Sequence, residues 1–207
     1  SAGPVDFDFT ANYTREKVKN RPALGDSQSN VGKNLMTLAG TYDQAWLKHY
    51  EDADGNYSNW NGNDQYNKNP YWDLYKNSNT SDKDVFRFTG KAIWNINKHL
   101  KLQGTIGTDI NSMNFQEFIA KTTPGTPAGK LTDQIFNNRT LNAEILALYN
   151  NSWGDFDVNA TAGGNIFKVN NKTTTNVGLN QQMNGIQNIM NYQEQNTRES
   201  MYKKQIS

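Results

Sequence analysis

The stretch VDFDFTANYT, residues 5–14, puts Val5, Phe7, Phe9, Ala11 and Tyr13 on one side of an extended chain and Asp6, Asp8, Thr10, Asn12 and Thr14 on the other. Successive side chains of a strand point to opposite faces, so such a segment needs an apolar environment on one face and water on the other. The same two-residue period recurs. In VFRFTGKAIWNI it gathers Phe86, Phe88, Gly90, Ala92, Trp94 and Ile96, and in LKLQGTIGTDIN it gathers Leu100, Leu102, Gly104, Ile106 and Ile110. TLNAEILALYN contributes Leu141, Ala143, Ile145, Ala147 and Tyr149, and DFDVNATAGGN contributes Phe156, Val158, Ala160, Ala162 and Gly164. A sixth strand is expected to start near Tyr202. The fold class is therefore all-β, and the question is what covers the apolar faces.

Composition narrows the answer. Only 35% of the 207 residues are hydrophobic and the mean hydropathy is -0.88, which under-supplies a large water-soluble core. Aromatics at 12%, set in ordered alternation, argue against disorder. With 21 basic and 20 acidic residues the net charge is +1, so electrostatics gives no reason to expect nucleic acid as a partner. The chain has no cysteine, which removes disulfides and thiolate chemistry. The opening SAGPVDFDF lacks the pattern of a signal peptide, and no run of about eighteen apolar residues suits a membrane helix. A barrel strand needs only about ten alternating residues and escapes a hydropathy average.

The connections alternate in length. Only NKH separates Ile96 from Leu100, and only NNSWGD separates Tyr149 from Phe156, so hairpin turns are expected at both places. Residues 15–84, 112–139 and 166–198 are long, rich in Asn, Gly, Gln and Thr, and poor in aliphatics. With strands running up and down, all long connections fall at one end and all short ones at the other, the layout of an outer-membrane barrel. An open sheet of so few strands would leave unpaired edges in lipid at several kcal/mol per group. Residues 1–207 are accordingly read as one section of a large antiparallel transmembrane β-barrel, with long extracellular loops.

Residues 69–110, NPYWDLYKNSNTSDKDVFRFTGKAIWNINKHLKLQGTIGTDI, resemble the barrel of the SusC/RagA family of TonB-dependent outer-membrane transporters. The words that carry the resemblance are Asn69, Pro70, Tyr71 and Trp72 ahead of a strand, the short turn through His99, and the following Leu100, Leu102, Gly104, Gly107 and Asp109. The resemblance implies nutrient import across the bacterial outer membrane, with a SusD-like surface lipoprotein as lid and TonB engaged through an N-terminal region outside this stretch. It also implies an oligosaccharide or peptide ligand and outer-membrane lipid around the wall.

Within the first long connection, Trp60, Tyr66, Tyr71 and Trp72 are the candidate substrate-binding residues, because flat rings beside Asn and Asp side chains suit stacking and amide hydrogen bonding. For Tyr71 and Trp72 packing of the loop against the wall is an equally physical reading, since the proline fixes the backbone ahead of them. Leu35, Leu38, Tyr42, Ala45 and Trp46 sit at helical spacing, so short helices are expected in this loop, as local packing or as a partner face. Asp52, Asp54 and Asn56 begin a calcium-loop pattern, but Tyr57 replaces its glycine and Asn63 its glutamate, so no metal site is expected. His49 and His99 fall at different ends, and no hydrolase, zinc-protease or phosphate-loop motif is present. Neither catalysis nor a cofactor is expected. The competing reading is a soluble β-sandwich carbohydrate-binding domain, which would bury the apolar faces on a second sheet.

Overall fold

The computed structural model describes residues 5–207. Six strands form one sheet in sequence order, each antiparallel to the next: β1 (Val5–Lys19), β2 (Ser78–Asn95), β3 (Leu100–Ile119), β4 (Lys130–Trp153), β5 (Phe156–Gln181) and β6 (Tyr192–Ile206). Two short α-helices, α1 (Val31–Met36) and α2 (Pro70–Tyr75), and a 3-10 turn at Gln44–Lys48 lie between β1 and β2, and a second 3-10 turn at Ile189–Asn191 precedes β6. The connections 20–77, 120–129 and 182–191 meet at one end, while 96–99 and 154–155 close the other. The up-and-down section of barrel wall read from the alternation is thus the observed fold.

Both short turns follow from their residues. In the first, the Asn97 side chain accepts hydrogen bonds from the backbone N–H groups of His99 (2.8 Å) and Leu100 (3.0 Å), a local turn of the kind Asn favours. In the second, Trp153 pairs with Phe156 across Gly154 and Asp155, and Gly154 has φ +59. A two-residue hairpin with glycine first is the connection that matches the right-handed twist of the strands.

The alternation is in register from strand to strand. One row across the sheet reads Phe9, Gly90, Ile106, Ala143 and Ile166, and the next toward the short turns reads Phe7, Ala92, Gly104, Ile145 and Gly164. These residues form an apolar band on one face. The opposite face carries Asp8, Lys91, Thr105 and Glu144, as well as the Arg87–Asp109 pair at 3.3 Å. Among the described residues no second sheet covers the band, and Phe7, Phe9, Ile145 and Phe156 are exposed. The soluble sandwich is therefore not the observed architecture.

The strands run further past the band than the sequence led us to expect. The alternation predicts long connections at residues 112–139 and 166–198, yet β3 continues to Ile119, β4 starts at Lys130, β5 continues to Gln181, and β6 starts at Tyr192, not near Tyr202. Past the band polar side chains fall on both faces, so no continuous apolar side marks the strands. The ladder continues without alternation through polar stretches such as NNKTTTN, held by backbone pairing and by threonines that suit a pleated surface.

The main packed core sits at the end where the long connections meet. Tyr57, Trp72, Phe118, Ala120, Leu131 and Tyr192 bury one another, with Tyr50 and Ile189 packed alongside. Phe118 and Leu131 are register partners and share the face of the apolar band, as does Gly178 in the same row. The Tyr192 ring crosses Gly178 so closely that an added Cβ would lie 2.6 Å from its Cγ. Only glycine admits the ring there. The cap made by the first connection is therefore seated on the band side of the wall, beyond the band.

Candidate functional site

The Asn-Pro-Tyr-Trp stretch is the start of a helix. Asn69 is its N-cap, extended at φ -63 and ψ 118, and Pro70 occupies the first turn, where its missing N–H costs nothing. The Asn69 side chain accepts from the Tyr71 N–H at 3.1 Å and donates to the Leu47 carbonyl at 2.9 Å, while its own backbone N–H donates to the Tyr57 hydroxyl at 2.7 Å. One buried amide thus ties together α2, the Gln44–Lys48 turn and the segment around Tyr57. Lys68 and Asp73 form a buried ion pair at 3.1 Å beside it, and Lys68 also donates to Ser29 Oγ at 2.8 Å.

Trp72 is 1% exposed; its ring meets Tyr57 edge-on at 5.4 Å between centroids, and its indole N–H donates to Thr123 Oγ1 at 2.8 Å. It has no free face for a ligand. Of the two readings given for it, stacking on a ligand and packing of the loop against the wall, its burial fits packing: Trp72 rivets the first connection to residues 120–129. Tyr57 reinforces that joint, since its backbone N–H donates to Thr122 Oγ1 at 2.8 Å. Burial pushes the Tyr57 hydroxyl up to about 12, although the N–H of Asn69 opposes the shift.

The other candidates divide. Trp60 lies half-buried 5.2 Å from Tyr42, which in turn meets Trp46 edge-on at 5.9 Å. Tyr71 stacks on Tyr50 (6.4 Å) and Tyr75 (5.9 Å), forming a second aromatic group over which Lys76 lies, held by Glu51. Tyr66 projects with 60% of its surface exposed. Tyr42, Trp46, Tyr50 and Tyr75 were not among the sequence candidates; their dispersal over α2 and the preceding turns hid the grouping.

The helical stripe proves to be α1 and a 3-10 turn joined through Gly40. The 3-10 turn buries Leu47, at 3%, whereas Trp46 is 56% exposed, because a 3-10 turn repeats every three residues and turns a different face inward. Asp52 accepts from the backbone N–H groups of Asp54 (2.9 Å) and Asn56 (2.8 Å), and these bonds hold its carboxyl below the usual range. The carboxylate thus organises its own turn. Among the described residues, no group of three or more His, Cys, Asp or Glu side chains is placed to hold a metal ion.

An open recess of about 810 Å³ lies against the strands just short of the cap, lined by Lys17, Thr80, Asp82, Gln116, Asp133 and Asn176. Within it Lys17 reaches Asp82 at 3.5 Å, and the neutral Gln116 amide donates to Asp133 at 2.8 Å. Among the described residues no helix is long and apolar enough to cross a membrane, which says nothing of strands.

The fold defines the class, a section of an antiparallel up-and-down barrel wall with an elaborated loop end. No protein-family model matches the chain, and no curated protein does. Among solved structures it is similar to one described as the structure of the RagAB peptide transporter, with a TM-score of 0.65 and 14% sequence identity. The similarity covers 95% of this chain and 23% of that one, so the chain spans about a quarter of the protein it matches. At that identity the likeness shows the fold.

Proposed function

We propose that this chain is a wall section of a SusC/RagA-type TonB-dependent importer in the bacterial outer membrane. The observation that carries the reading is the exposed apolar band, in register over β1 to β5, with charged and polar side chains on the opposite face. Lipid against one face and a water-filled lumen against the other is the environment such a wall fits. The likeness to a peptide transporter favours a peptide over an oligosaccharide as cargo. In this reading the long connections are extracellular, a SusD-like lipoprotein closes over them, and TonB acts through a region outside this chain. Trp60 and Tyr66 are the rings proposed to contact ligand, Tyr71 being committed to its tyrosine stack. The chain carries no reaction of its own.

Uptake of a labelled oligopeptide by cells expressing the full-length protein tests this. Import that stops when the proton-motive force is collapsed supports an energised importer. Import that continues unchanged makes the wall that of a diffusion pore, and a labelled oligosaccharide taken up in place of the peptide overturns the cargo assignment.

A further inference from the structure

The apolar band has a sharp edge toward the long connections, and the charges just beyond it are unevenly distributed. On β1 and β2 the residues past Tyr13 and Phe86 are Arg15 and Asp84, and Arg15 pairs with Asp82 at 3.4 Å and Asp84 at 3.7 Å. That flank is internally neutralised. On β4 the first residue past Leu141 on the band face is Arg139, on β5 the first past Ile166 is Lys168, and β6 brings Lys203 into register with Asn170 beside Arg139. At strand spacings of about 4.8 Å and two-residue steps of about 6.7 Å, the Cα atoms of these three residues lie within about 10 Å of one another.

All three side chains are exposed, and none has a carboxylate partner among the described residues. The row through Tyr13, Phe86, Ile110, Arg139, Asn170 and Lys203 contains no acid, nor does the row through Ala11, Phe88, Thr108, Leu141, Lys168 and Gln205. Lys172, one row further out, is the cation of this flank that does have a partner, Glu199 at 3.1 Å. Long cationic side chains rooted at the rim of an apolar surface lay their stems along it and hold their charges at headgroup level. A guanidinium with two ammonium groups in a triangle suits an oxyanion bearing several acceptors, the chemistry of a phosphate.

We propose that Arg139, Lys168 and Lys203 form a binding site on the outer surface of the wall for a phosphate-bearing lipid headgroup of the leaflet on the loop side. The proposal rests on the reading of the band as lipid-facing. It adds a site outside the lumen, one that fixes a lipid against β4 to β6 while β1 and β2 have none.

The test uses the full-length protein in detergent, stripped of lipid and titrated with lipid A carrying its phosphates, with dephosphorylated lipid A as the second probe. Expected is a loss of affinity for the phosphorylated lipid of about a hundredfold in the R139Q/K168Q/K203Q variant, with no difference between proteins for the dephosphorylated one. R15Q/K17Q should bind as the parent does. Excess inorganic phosphate should leave lipid binding unchanged; displacement by it would make this a free-anion site and overturn the lipid assignment. Equal retention of phosphorylated lipid by parent and triple variant would also overturn it, leaving the patch to another anionic partner. A nitroxide at Ile145→Cys, read for oxygen accessibility in bilayers, separates the two levels. An oxygen-accessible label with no lipid difference removes this inference alone, whereas a water-accessible label removes the lipid-facing reading beneath it.

Discussion

Phe86 on β2 and Ile166 on β5 both mark the upper rim of the apolar band, yet the register connects Phe86 through Ile110 and Arg139 to Asn170, four residues along β5 from Ile166. The rim therefore slides along the strands as the sheet is crossed. Tyr13 on β1 also marks the rim and lies in the same row as Phe86, so from β1 to β5 the rim moves four residues over four strand spacings. Four residues at about 3.3 Å each against four strand spacings of about 4.8 Å correspond to a tilt of about 35°. Strands of transmembrane barrels tilt by roughly that much. A band level with a membrane plane must cut tilted strands obliquely, and this one does. Most of β6 lies beyond the rim for the same reason, which accounts for its polar character.

The facing of β3 sets the first expectation. Ile106 lies in the band between Gly90 and Ala143, and Thr105 lies on the opposite face between Lys91 and Glu144. A cation at the midplane of a barrel's lipid face costs about 2–4 kcal/mol, and one in the lumen costs little. Ile106→Arg in the full-length protein should reduce the heat-modifiable, folded form in outer-membrane fractions, while Thr105→Arg should assemble normally. Equal yields would refute the facing.

Two tryptophans of the same connection should behave in opposite ways. Trp72→Ala empties a buried site and removes the indole donor to Thr123, a loss of about 3–5 kcal/mol to the cap, seen as faster proteolysis within residues 20–77. Trp60→Ala should leave proteolysis unchanged and weaken ligand binding in titrations of the assembled protein. Unchanged affinity would assign the exposed rings to the lipoprotein lid instead.

How much of this was legible in the sequence depended on what surrounds each residue. From Phe86 to Trp94 two different solvents force alternation, so the strand and its facing could be read from residue types alone. From Ser112 onward polar residues fall on both faces, so the same ladder shows no alternation to read. Asn69 and Pro70 announced a corner, but not that Pro70 is the first residue of a helix. Trp72 was grouped with stacking aromatics because its partners are distant in the chain: Thr123 lies 51 residues away. No periodicity reports such contacts.

The buried ion pair gives a further check. Lys68 and Asp73 are 4% and 5% exposed, so Asp73→Ala leaves an uncompensated ammonium inside the cap and should cost about 3–5 kcal/mol. The double change Lys68→Met with Asp73→Leu should recover most of that loss. Comparing urea midpoints for loop proteolysis in the two variants measures it, and a double variant as labile as the single one would refute the pairing as the cause.

Alkaline pH should open the cap. The Tyr57 hydroxyl, ordinarily near 10, is raised by burial to about 12, and burial raises Tyr192 to about 12 as well. The unfolded cap loses these protons first as pH rises, so the stability they contribute is complete below about pH 10 and is lost between about 10 and 12. Protease sensitivity of residues 20–77 should rise across that window. Tyr57→Phe should flatten the rise, at the cost of leaving the Asn69 N–H without its acceptor.

The most direct measurement of the central claim is a nitroxide scan along β2 at positions 86 to 94 of the full-length protein in bilayers, reading accessibility to oxygen and to a water-soluble nickel chelate at each position. Lipid on the band face and water on the other predict a period of two, with oxygen high at Phe86, Phe88, Gly90, Ala92 and Trp94 and the chelate high at Arg87, Thr89, Lys91 and Ile93. A flat profile, or oxygen peaks at Arg87 and Lys91, would contradict it.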